Sequence, residues 1–140
     1  MDYRALAEQL MDLHALLHQS PAGRALDALD RGSFLALGYL AAHHNVARPK
    51  ELGQGLAVSS ARVAALLNHL GEQGLIRRSA DPADSRQTLV SLTEAGEQLF
   101  RQRRSAAVDA IAQMLERLGP EDAAAYLRIR KKLIGQLFER

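Results

Sequence analysis

Apolar residues at Tyr3, Leu6, Leu10, Leu13 and Leu17 recur every three or four positions, so they share one stripe of a helix running from about Asp2 to Gln19. Ser20 and Pro21 close that helix, and a polar stretch with Gly23, Asp27, Asp30 and Gly32 reads as a linker. Ser33 can then cap a second helix, FLALGYLAAHH, which stops near Asn45. Being apolar on nearly every side, it belongs in a core. Pro49 suits the first position of a third, short helix, KELGQGL, because the N–H it lacks would be unpaired there in any case; Gly55 and Leu56 end this helix. Ser59 is a good N-cap for a fourth, with Val58 placed to pack on Val63 as a hydrophobic staple. Val63, Leu66, Leu67 and Leu70 form its buried stripe, and Gly74 suits the left-handed position just past its end. Two helices joined by a tight turn result.

The period then changes from helical to alternating. Leu75 to Ser79 and Gln87 to Leu92 read as two strands, with Asp81 and Pro82 in the turn between them. This is the only clear strand pair. Thr93 can cap a long helix whose first turn holds Glu94 and Glu97, where acids favour the positive end of the helix dipole. Leu99, Val108, Ile111, Leu115 and Leu118 carry it to Gly119, and Pro120 begins a last helix reaching Leu137. A hairpin with basic residues at its base and an Arg near its tip, placed behind a short amphipathic helix, has a shape suited to gripping DNA.

Composition narrows the alternatives. The 140 residues fit one domain with a real core, and no apolar run approaches the ~18 residues of a membrane span. The N-terminus carries Asp2, Arg4, Glu8 and Asp12 and lacks the apolar centre of a secretory signal, so a soluble, cytoplasmic protein is expected. The absence of Cys removes disulfides, thiolate metal sites, Cys nucleophiles and thiol-based redox sensing. Eighteen basic against 16 acidic residues leave a net charge of only +2, too little to mark a nucleic-acid binder. Its distribution says more: residues 46 to 93 carry six basic and four acidic side chains, whereas residues 1 to 45 carry three and five. No Ser-His-Asp order, Gly-rich phosphate loop or spaced carboxylate pair stands out, so an enzyme is not expected.

From about Ser33 to Phe100 the sequence resembles the MarR family of bacterial transcription regulators. The resemblance is strongest in HLGEQGLIRRSADPADSRQTLVSLTEAGEQL, which follows the family's leucine, glycine, wing aspartate-x-arginine and closing leucine-threonine pattern in order and spacing. It implies a mainly α fold: a winged helix-turn-helix with a small β-hairpin wing and N- and C-terminal dimerisation helices. Within a single domain of residues 1–140, segments 1–32 and 100–140 would be dimerisation helices and 33–99 the DNA-binding lobe. A homodimer is implied, with its recognition helices in successive major grooves of near-palindromic double-stranded DNA, roughly 34 Å apart.

On the fourth helix, the face opposite Val63, Leu66 and Leu70 holds Ser60, Ala61, Arg62, Ala65, Asn68 and His69. Arg62 is the best candidate for a guanine edge, because its fork matches the O6 and N7 acceptors, and Ser59 and Ser60 are candidates for phosphate. Many relatives place a hydroxyl and an arginine mid-helix, where this chain has Ala64 and Ala65. Base readout would then be thin, resting on Arg62, Asn68 and DNA shape. By resemblance Arg86 enters the minor groove while Asp84 holds its guanidinium and the turn in place, a role that the concentrated negative potential of a narrow groove favours. Arg77 and Arg78 point to opposite sides in a strand, so one of them faces phosphate, with Lys50 and Arg48 as weaker candidates.

His14 and His18 lie one turn apart, and His43 with His44 ends the second helix. A metal site across the two pairs is conceivable, but neither has an acidic ligand at a helical step, and no metal or other cofactor is expected. The resemblance also implies a small aromatic or anionic effector, for which His14, Tyr39 and His43 are the candidate contacts. The leading expectation is a ligand-responsive repressor. A winged-helix module that binds another protein in place of DNA, or a metal-responsive regulator, would be the alternatives.

Overall fold

The computed structural model describes residues 1–138. Seven helices and three short strands follow in the order α1 (Tyr3–His18), α2 (Pro21–Leu29), α3 (Gly32–Ala42), β1 (Val46–Ala47), α4 (Pro49–Leu56), α5 (Ser60–Glu72), β2 (Ile76–Ala80), β3 (Thr88–Leu92), α6 (Glu94–Leu118) and α7 (Pro120–Phe138). The fold is mainly α, with one antiparallel sheet of order β1-β3-β2.

Most helix ends are fixed by the residues expected to fix them. The Ser59 hydroxyl accepts from the Arg62 N–H at 3.2 Å, and the Thr93 hydroxyl accepts from the Gly96 N–H at 3.1 Å. Pro49 and Pro120 open α4 and α7. Gly74 takes φ +72° just past the end of α5.

Three expectations need correction. The stretch after Ser20 is not a linker but α2: Ser20 caps it by accepting from the Gly23 N–H at 3.0 Å, with Pro21 at its first position. Gly23 suggested a break, yet its role is close packing. A Cβ there would lie 2.2 Å from the Leu17 carbonyl oxygen, so glycine is what lets α2 turn back against α1. Ser33 does not cap α3, because the chain re-enters helix at Gly32; the N-cap is Arg31, with no side-chain hydrogen bond. The hairpin also gains a third partner, as Val46 pairs with Ser91 and Ala47 with Val90. Two residues are too few for an alternating pattern to announce itself. The hairpin itself is shifted by one residue at each strand start, with Ile76 opposite Leu92 and Ala80 opposite Thr88.

The core lies where α3, α4, α5 and the sheet meet. Leu37, Leu40, Leu52, Leu70 and Val90 are fully buried, and Ala36, Ala47, Val63, Leu67, Leu75 and Ile76 complete the cluster. Burying such a side chain stabilises by about 1.5–3 kcal/mol, so this lobe carries most of the fold's apolar energy. The base of α6 joins it through Leu99 and Phe100, and α2 packs along α6. Helices α1 and α7 contain no buried residue.

Candidate nucleic-acid interface

Helix α5 turns Val63, Leu66, Leu67 and Leu70 inward, which leaves Ser60, Ala61, Arg62, Ala64, Ala65, Asn68 and His69 exposed on the other faces. The sheet register decides between the two strand arginines. Arg78 stands opposite the buried Val90, and Arg77 opposite Ser91, so the two side chains leave opposite faces of the sheet. Arg78 is the one on the α5 side: its Nη2 donates to Asn68 Oδ1 at 2.8 Å and ties the strand to the helix. Arg78, Ser60 and Ala64, with Lys50 and Gln54 of α4 and Thr88 of β3, line an open crevice of about 580 Å³. It lies between the two helices and the base of the hairpin.

The hairpin tip is organised by two aspartates. Asp84 Oδ1 accepts from the Arg86 N–H at 3.1 Å and from Arg86 Nε at 3.3 Å, while the Arg86 side chain remains 91% exposed. Asp84 thus holds both the turn and the root of the guanidinium, leaving the outer nitrogens free among the described residues. Asp81 is buried, and its Oδ1 accepts from the Ala83 N–H at 2.9 Å. Its Oδ2 takes Arg48 Nη2 at 2.6 Å and Nε at 3.0 Å. The Ala83 N–H, and then the Arg48 guanidinium, hold the Asp81 carboxyl below its ordinary value against the opposite pull of burial. Sequence reasoning took Asp81 as a turn residue and Arg48 as a phosphate candidate. Their separation of 33 positions leaves no local signal of the pair, which fastens the hairpin to the start of α4.

The other candidates fall into two groups. Tyr39 and His43 stack at 3.9 Å between centroids, with their planes 14° apart, and His43 Nδ1 lies 2.7 Å from the Tyr39 carbonyl oxygen. His14 is not with them. Its Nε2 meets His18 Nε2 at 2.8 Å, at the junction of α1 with α2. Among the described residues, no group of three or more His, Cys, Asp or Glu side chains is arranged to hold a metal ion, so the two histidine pairs do not form one centre. Nor is any helix among them long and apolar enough to cross a membrane.

The profile of the MarR family matches residues 24–87, from within α2 to the end of the hairpin turn. That span contains α5, Asp84 and Arg86. The match supports reading the chain as a MarR-family winged-helix regulator. The chain is also similar to the uncharacterized HTH-type transcriptional regulator YwhA of Bacillus subtilis, at 29% identity over 95% of this chain and 99% of that one. Among solved structures, a MarR family protein of Bacillus stearothermophilus superposes with a TM-score of 0.80 at 20% identity, covering 99% of both chains. A point mutant of MepR from Staphylococcus aureus, bound to an oligodeoxyribonucleotide, superposes with a TM-score of 0.64 at 23% identity, over 98% of this chain and 99% of that one. At these identities the structural likenesses establish the winged-helix fold.

Proposed function

We propose that this protein is a MarR-family DNA-binding transcriptional regulator that grips a near-palindromic operator as a homodimer and acts as a repressor released by a small aromatic or anionic ligand. The observation that carries the DNA reading is the continuous face made by α5 and the hairpin, joined through the Arg78–Asn68 bond and ending in an exposed, aspartate-held Arg86. A phosphate backbone laid across it meets Arg78 and Lys50 beside the crevice. Arg62 near the start of α5 reaches a major-groove edge, Ser59 and Ser60 contact phosphate, and Arg86 enters the adjacent minor groove. Arg77, on the other face of the strand, is left the lesser role.

The dimer reading rests on exposed apolar surface. Leu10, Leu13 and Leu16 on α1 and Leu127, Ile129, Leu133 and Ile134 on α7 all lie at least half in solvent. Two helices of this kind on one small protein need a covering surface, and a second copy supplies it with closed symmetry. Residues 1–32 and 100–140 would then contribute the dimer helices and 33–99 the DNA-binding lobe, with α2 serving to seat the lobe on α6.

The test is fluorescence anisotropy with a duplex from the protein's own promoter region. Binding should weaken steeply as salt rises, and Arg86→Ala should lower affinity on every operator variant while Arg62→Ala should flatten the preference among them. Retention of a stoichiometric protein partner with no promoter fragment held at low salt would overturn the DNA reading in favour of a protein-binding module.

A further inference from the structure

The junction of α1 and α2 holds a side-chain cluster that DNA binding does not use. His14 and His18 stand one turn apart on α1, with ring centroids 4.3 Å apart and planes crossed at 77°. Their Nε2 atoms meet at 2.8 Å. On the far side of its ring, His18 Nδ1 lies 2.8 Å from Asp27 Oδ2, and α2 is what brings Asp27 there. Arg31 reaches the same oxygen only at 3.8 Å and is largely exposed, so it balances part of the carboxylate charge without competing for His18.

The tautomers follow from this geometry. A carboxylate only accepts, so neutral His18 carries its proton on Nδ1, and its Nε2 lone pair points at His14. Two imidazole nitrogens facing each other at 2.8 Å are joined either by the N–H of neutral His14 donating to the His18 lone pair or, once that proton has moved, by a cation that both nitrogens bind. We propose that His14 and His18 form a two-imidazole site for a divalent transition cation of the zinc class, with Asp27 as the residue that orients His18. Zinc–imidazole bonds of about 2.0–2.1 Å at a tetrahedral angle set the two nitrogens about 3.3 Å apart. The pair therefore has to open by roughly half an ångström, a small rotation for two exposed side chains on a helix surface. The Nε2 proton of His14 moves to its own Nδ1, so the ring stays neutral.

Asp27 sits in the position from which a carboxylate fixes a ligand histidine's tautomer and ring orientation. It lies on the wrong nitrogen to be a ligand itself, and no third side chain joins the pair among the described residues. Water completes the coordination, and imidazole donors select zinc, copper or nickel over magnesium or calcium. Bound there, the cation would staple the last turn of α1, which the His18–Asp27 bond ties to α2.

The experiment is titration of the EDTA-dialysed full-length chain with Zn²⁺ against a chromophoric chelator, with no DNA present, so that its outcome is independent of the operator reading. One Zn²⁺ per chain is expected, with binding lost in His14→Ala and His18→Ala and unchanged in His43→Ala/His44→Ala. Asp27→Asn should weaken binding 10- to 100-fold, the usual cost of losing such a partner. Circular dichroism checks that each variant is folded, and His14→Gln, at an exposed helix position, serves if an alanine variant is not. Equal affinity in wild type and His14→Gln, or no Zn²⁺ bound by wild type at millimolar metal, would overturn the site. Unchanged affinity in Asp27→Asn would overturn the role of Asp27.

Discussion

The winged lobe and the two terminal helices are built from similar proportions of leucine and isoleucine but use them in opposite ways. In the lobe, α3, α4, α5 and the sheet bury Leu37, Leu40, Leu52, Leu70 and Val90 completely. Along α1 and α7 no side chain is buried, although both helices carry a large apolar residue on nearly every turn. One region satisfies its hydrophobic surface within the chain, and the other presents it outward. Substitutions of the same kind should therefore act on folding in the first region and on association in the second.

The largest effect belongs to the lobe. Leu70→Ala removes a side chain with no exposure from the contact between α5 and the rest of the core, and a cost of about 2–5 kcal/mol is expected in urea denaturation. Ile134→Glu on α7 should instead leave the lobe's fold intact and split the proposed dimer, weakening self-association by about 2 kcal/mol or more in sedimentation equilibrium. Equal unfolding losses in both variants would erase the distinction between the two regions.

A smaller effect probes how the hairpin is held to the lobe. The Asp81 carboxyl is kept below its ordinary value by the Ala83 N–H and then by Arg48, so its folded pKa lies below its unfolded one. Its contribution to stability is therefore present above the ordinary carboxylate range and fades as pH falls through the folded value. Asp81→Asn should remove that acid-induced loosening, read as hydrogen exchange at the hairpin amides. Exchange in Ile134→Glu should keep the wild-type acid response, because α7 packs on α6.

The same contrast explains what was legible beforehand. Capping residues, Pro49, Gly74 and the alternation of β3 are local signals, and they placed α4, α5, the wing and the start of α6 within a residue or two. Asp84 and Arg86 were readable because the turn joins neighbours only two apart. The features that escaped depend on distant partners. Gly23 looks like a break until the Leu17 carbonyl is placed against it, and Arg48 looks like a free cation until Asp81 arrives from the hairpin. Asp27 becomes the missing acidic partner of His18 only once α2 is a helix. The apolar stripe of α1 was plain from its period, and residues 1–32 were expected to serve as dimerisation helices; how far each side chain of the stripe lies exposed needed the fold.

The smallest effect returns to the turn that joins α4 to α5. Ala57 closes α4 at φ 54° and ψ 45°, a left-handed conformation that crowds the Cβ against the following carbonyl. Its N–H bonds the carbonyl oxygens of Gln54 and Gly53, so the turn is fixed by hydrogen bonding as well as by the packing of Leu56 and Val58 on the core. Ala57→Gly removes the crowding but adds backbone freedom to the unfolded chain, and the two terms oppose each other. The steric term is the larger, roughly 1–2 kcal/mol against about 0.5–1 kcal/mol, which leaves a net gain of at most about 1.5 kcal/mol. Urea midpoints of wild type and Ala57→Gly measure it directly. A loss in place of a gain would mean that alanine's restriction of the unfolded chain outweighs the strain, and with it that the tension in the tight turn between the two helices is below about 1 kcal/mol.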